Sequence, residues 1–399
     1  MKKIFITIIF FQLLCFPKYV NALDRTEIQK NDDTKNLIVT KNSNSNEIES
    51  KKMINNQIDQ LQLDNIISET EKINNKNIDL KEVFSRAIKG KNSGNLIINM
   101  IGVVLGEQIR ENLDSMILIM FIIIIYSILK NISKSLGNDQ IGRIGHFIQI
   151  IILITAILKI YTNIIQIVKQ TIELISSFIY SLLPVFISVS IASGNITSST
   201  GIQSIILVSI NLVTGFINQI LIPILMISTV IGIISNISDE VHMTRLAKYM
   251  KSTIIWILCV MLTIFTCVLS MESNLGQGVD EVASKTTKTA VSTFIPIVGK
   301  ILGDTVDSVL SCTGVMKNAI GTLGIIGIIS IAIAPLLKIG VICIFMYLAS
   351  GIAETVADEK IVYVVEQMGD SCKVLFACIA SIVIMLIIGF TITMKIVPT

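Results

Sequence analysis

Thr293–Gly324 reads TFIPIVGKILGDTVDSVLSCTGVMKNAIGTLG, a polar-striped stretch with long apolar runs on both sides. Wound as a helix, it places Lys300, Asp304, Asp307, Ser308 and Ser311 on one polar stripe. Val298, Leu302, Val306 and Val309 fall beside it as an apolar stripe. Gly299 and Gly303, four apart, form a seam where a second helix can approach closely. Such a segment is neither a plain span nor a plain loop. It predicts an exported or re-entrant amphipathic segment at 288–318, whose polar face meets water or a partner while the glycine seam packs inward.

Working outward, composition settles the class. Of 399 residues, 52% are hydrophobic and only 15% charged, where soluble domains carry roughly a quarter charged. Mean hydropathy is +0.74. The apolar runs are continuous and do not alternate, so they predict spanning helices and not an outer-membrane barrel. The net charge of +3 is too small to point to nucleic acid. The seven cysteines contain no CxxC pair and fall mostly in apolar runs, as small packing residues do.

Met1–Ala22 has the form of a secretory signal: basic Lys2 and Lys3, an apolar core over Ile4–Phe16, and Ala22 as the small residue at the cleavage point. Residues 23–77 are polar and poor in aromatics, which predicts an exported, mostly disordered tail. Residues 78–114 predict exported amphipathic helices, begun by a capping box of Asp79 and Glu82. From 115 to 399 the pattern is that of a polytopic membrane domain. Breaks near Lys169–Glu173, Asn218–Pro223 and Pro335–Lys338 divide the apolar runs into about seven to nine spans. The fold expected is therefore all-α. The basic cluster of Arg245, Lys248 and Lys251 belongs on the cytoplasmic side. With an exported N-terminal tail, an odd span count places the C-terminus in the cytoplasm.

The chemistry of common enzymes is missing. There is no GxxxxGK[ST] loop, no HExxH, and only His146 and His242 as histidines. Gly303-Asp304 and Gly369-Asp370 lack the GxGD context of intramembrane aspartyl proteases. No catalytic, cofactor or metal residues are assigned. Lys159, well inside an apolar run, is the candidate intramembrane charge, because such charges face a bundle interior or an aqueous cavity unless they snorkel. Asn211 and Asn218 suit hydrogen-bonded glue between helices. Gly321, Gly324 and Gly327 suit either tight packing or a hinge.

The ordered blocks LPVFISVSIASG (Leu183–Gly194), Thr197-Ser198-Ser199, PILMISTVIGIISNISDE (Pro223–Glu240), RLAKYMKS (Arg245–Ser252) and Thr293–Gly324 resemble the stage III sporulation protein AE family of endospore-forming bacteria. The resemblance covers about Asp79–Ile396. It implies a non-enzymatic subunit, in the mother-cell membrane around the forespore, of a channel or feeding-tube-like complex that supports late forespore gene expression. It also implies partners: other stage III sporulation proteins, including a separate ATPase and ring-forming subunits, and stage II sporulation protein Q of the forespore. The residues themselves leave open a second reading, an independent secondary transporter, since Pro-broken helices with embedded lysine suit that class.

Overall fold

In a computed structural model, the described residues are 94–135, 139–237, 243–294 and 298–394. The expected signal peptide, the polar tail and the first amphipathic helix at residues 79–91 lie outside them. The described helices belong to one compact unit, Asp59–Thr399.

All described elements are helices. They are α1 (Gly94–Ser135), α2 (Asp139–Ala192), α3 (Ile196–Phe216), a π-helical turn (Ile217–Leu221), α4 (Ile222–Ile237), α5 (Thr244–Phe294), α6 (Val298–Val356) and α7 (Glu359–Met394). The π-turn joins α3 and α4 into one rod. Among the described residues, six stretches are long and apolar enough to cross a membrane: Val104–Leu129, Phe147–Ala192, Ile196–Ser235, Thr244–Ala283, Met316–Val356 and Glu359–Met394. The all-helical membrane class thus stands, with six such helices among the described residues where the sequence pattern predicts seven to nine spans.

The difference has one cause. Each break read from the sequence is bridged by continuous helix. Lys169–Glu173 continues α2, because Lys, Gln and Glu are good helix formers and neither Gly nor Pro interrupts them. Pro184 and Pro335 lie inside α2 and α6. A proline lacks its N–H and crowds the carbonyl four residues back, yet spanning helices tolerate it where neighbours re-satisfy the freed groups. At Pro223 the chain answers that crowding with the π-turn just before it. Lys338, expected in a turn, lies within α6 and pairs with Glu111 of α1 at 3.5 Å.

The core forms where α6 and α7 pair along their lengths and both pack on α2; α5 packs on α3, α4 and α7. Gly321, Gly324 and Gly327 are a packing seam and not a hinge. A Cβ at Gly327 would stand 2.3 Å from the Phe178 ring, and one at Gly324 would stand 2.7 Å from Leu182. Phe186 of α2 meets Phe390 of α7 edge to face at 5.7 Å. Close approach of this kind, more than solvent exclusion, holds helices together in lipid.

Candidate functional site: two buried polar layers

Two layers of polar side chains cross the bundle, one near each end. The upper layer begins at the α2–α3 turn. Gly194, at φ 87°, reverses the chain in the left-handed conformation that glycine adopts without strain. The turn leaves the first N–H groups of α3 without a cap of their own, since the Asn195 side chain does not bond to them. Asp280, from the middle of α5, supplies the cap instead. One carboxylate oxygen accepts from the Thr197 N–H at 2.9 Å. The other accepts from the Ser198 N–H at 2.9 Å and from the Ser198 hydroxyl at 2.6 Å. The carboxylate also meets the positive end of the α3 dipole. Asp280 is buried, and so is Lys317 of α6, only 1% exposed and close enough to feel the Asp280 charge. Around them, Ser199 donates to the Ser190 hydroxyl at 2.6 Å, and Ser193 turns back onto the carbonyls of Val189 and Ser190. A buried charge persists only when its polar needs are met, and three hydrogen bonds meet those of the Asp280 carboxylate.

The lower layer joins α2, α4, α5, α6 and α7. Lys251 of α5, 5% exposed, donates from Nζ to the Gln367 carbonyl of α7 at 2.8 Å. Ser371 donates to the same carbonyl at 2.8 Å. Thr229 of α4 bonds to Ser371 at 2.8 Å and to Tyr161 of α2 at 3.1 Å. Ser228 donates to the Ala247 carbonyl at 2.8 Å, tying α4 to α5. Tyr347 of α6 donates to Asp370 at 2.7 Å. Trp256, 66% exposed, stands little more than a turn above Lys251, where an interfacial anchor belongs.

The layers keep a constant separation. Tyr161 and Ser190 on α2, Ser198 and Thr229 on the α3–α4 rod, Lys251 and Asp280 on α5, and Lys317 and Tyr347 on α6 are each about 30 residues apart, which is about 45 Å at helical rise. That matches a bilayer with its headgroup regions, roughly 40–45 Å. The two layers are thus spaced as the two faces of a bilayer are, and most of the packing between them is apolar.

One helix departs from this rule on its outer side. Thr155, Lys159, Thr162, Gln166, Lys169 and Glu173 of α2 recur every three or four residues and are all exposed, and the same line continues through Ser177 to Ser188. Tyr180, on that line, donates to Asn211 of α3, the interhelical role expected of this asparagine. Asn218, in the π-turn, has a buried carbonyl oxygen without a partner among the described residues.

Of the residues singled out in the sequence, Gly299, Lys300, Gly303, Asp304, Asp307, Ser308 and Ser311 lie on the helical backbone at the start of α6. Their side chains are outside the described set. Lys159 is exposed on α2, two residues before Tyr161 and so level with the lower layer. Among the described residues, no group of His, Cys, Asp and Glu could hold a metal ion. Asp280, Lys317 and Gln367 carry no mark in the sequence reading, and Lys251 enters it only as part of a cytoplasmic basic cluster. The signal available for them was charge inside a hydrophobic stretch, at Lys251 one turn before a span and at Lys317 one turn before another.

Six long apolar helices with buried charge gathered at two levels define a multi-span integral membrane protein. The family model described as Stage III sporulation protein AE matches residues 78–397. The chain therefore belongs to that family, and its role lies in sporulation. A relative named Stage III sporulation protein AE, from Bacillus subtilis (strain 168), is 25% identical over 280 residues, covering 70% of this chain and 69% of its own. No solved structure matches the chain.

Proposed function

We propose that this chain is a non-enzymatic membrane subunit of a channel-like complex between mother cell and forespore, seated in the mother-cell membrane that surrounds the forespore and supporting late forespore gene expression. Membership of the Stage III sporulation protein AE family over residues 78–397 carries the proposal. The bundle is consistent with it: two ion-bearing layers about 45 Å apart would hold a rigid spanning body in register with both membrane faces. The chain contains no phosphate-binding loop. Energy would therefore come from a separate ATPase, and the extracellular continuation from ring-forming stage III partners and stage II sporulation protein Q.

The proposal is tested by deleting the gene from its sporulating host. Engulfment is expected to proceed while a reporter of late forespore transcription stays silent, with restoration by a plasmid copy. Normal late transcription and spore yield in the deletion strain would refute it. Saturable solute uptake by the purified chain alone in liposomes would favour an independent transporter instead.

A further inference from the structure

We propose that the amphipathic segment at residues 79–91, which lies outside the described residues, folds back on the outer face of α1 and covers it as the second arm of a helical hairpin. This contact is independent of the conduit reading and lies within one chain.

The face follows from spacing along α1. Val104, Gln108 and Asn112 turn inward and are buried. On the outer side Leu105, Ile109 and Leu113 recur every four residues and are 37%, 40% and 42% exposed. Gly102 and Gly106 stand among them, and a Cβ at either would meet nothing within 4 Å. No described element therefore covers this side. The same turns carry Glu107, Arg110, Glu111 and Asp114, all exposed. Charge at that density makes this part of α1 unsuited to acyl chains. An apolar stripe beside it, outside lipid, is stabilised by burial against a second apolar stripe. Past Asp114 the character changes: Ser115–Leu129 holds no charged residue and suits lipid without a cover.

The occupant follows from where the chain leads. Only Asn92 and Ser93 separate the segment from Gly94, where α1 begins. A link that short, made of turn residues, joins antiparallel helices lying side by side. The segment's own pattern predicts a helix, with its Asp79–Glu82 capping box and with Leu80, Val83, Phe84, Ala87 and Ile88 on one face. At helical rise it reaches about 20 Å, which carries it back along α1 to Gly106. Counting outward from Ser93, Phe84 falls against Gly102 and Leu80 against Gly106, so large side chains meet the gaps that the glycines leave. Charge agrees with this choice. Lys81, Arg86, Lys89 and Lys91 outnumber Asp79 and Glu82 on the segment, while Glu107, Glu111 and Asp114 outnumber Arg110 on α1. Opposite net charge favours the contact, whereas α1 of a second copy would bring like charge to the same face.

The test uses the purified full chain in liposomes, carrying either Phe84→Cys with Gly102→Cys or Leu80→Cys with Gly106→Cys. The control is Ser85→Cys, on the polar face of the segment, with Gly102→Cys. After mild copper-catalysed oxidation, disulfide-linked peptides are quantified by mass spectrometry. A disulfide forms only when the two Cβ atoms come close, so roughly tenfold more linking is expected in each facing pair than in the control. Phe84→Asp, which sets a charge in the contact, should cut linking of the Leu80→Cys and Gly106→Cys pair by a similar factor. Elution and helix content like the parent's confirm that each variant is folded. Linking at the control level in both pairs overturns the proposal and leaves the face to lipid or to another protein. In an equal mixture of isotope-labelled and unlabelled chains, linked peptides should pair only within one label. Mixed-label pairs would assign the face to a second copy and overturn the proposal as well.

Discussion

Asp280→Ala is expected to destabilise the protein by about 3–5 kcal/mol, as removal of one partner of a buried charged cluster does. Three donors at the head of α3 lose their acceptor, the Thr197 and Ser198 N–H groups and the Ser198 hydroxyl. Lys317 loses the carboxylate whose charge reaches it while remaining fully buried. The α2–α3 turn would then fray, and with it the contact between α3 and α5. Thermal unfolding in detergent micelles, paired with the steady-state amount of protein in membranes, measures the loss. Asp280→Asn should fall between parent and Ala, since the amide retains one acceptor oxygen. A loss within about 0.5 kcal/mol, the range of ordinary surface substitutions, would contradict this account of the upper layer.

Gly276→Ala should destabilise even though alanine is the better helix former. A Cβ at Gly276 would lie 2.7 Å from the Ser198 Cα, a backbone atom. Ser198 cannot retreat without stretching its bonds to Asp280, so overpacking of about 1–3 kcal/mol is expected, exceeding the gain of about 1 kcal/mol from helix propensity. Gly278→Ala is the matched control. It lies two residues on in the same helix with nothing within 4 Å of its Cβ position. It should stabilise by up to about 1 kcal/mol. Opposite shifts in melting temperature support the close approach of α5 to the head of α3. Stabilisation by both substitutions would refute it.

The membrane class was legible because hydropathy is a sum over many residues and survives local error. The joints were not. Pro184, Pro223 and Pro335 carry the same mark whether a helix ends, bulges or passes through, and only neighbouring helices decide among those outcomes. A joint at Lys169–Glu173 would split α2 and hide a polar line that runs at helical spacing from Thr155 to Ser181. The buried charges were hidden differently. Asp280 and Ser198 are 82 residues apart, and no local pattern encodes their meeting. Asp304 and Asp307 stand out in the sequence instead, because their helical spacing is a local pattern. The glycine run at 321–327 left two readings open, and close contact with Phe178 and Leu182 selects packing.

Six crossings, with the polar layers at the two membrane faces, are the claim on which the rest depends. They put residues 237–244 on the cytoplasmic side, where Arg245, Lys248 and Lys251 belong, and the 192–196 turn outside. With an exported N-terminal tail, we infer that six crossings would return the C-terminus to the outside, where an odd count would leave it in the cytoplasm. Alkaline phosphatase fused after Asn195, after Met243 and after Met394 tests this directly, since the enzyme is active only when exported. Activity at Asn195 and Met394 with none at Met243 is the result expected. An inactive Met394 fusion, or equal activity at Asn195 and Met243, would contradict it.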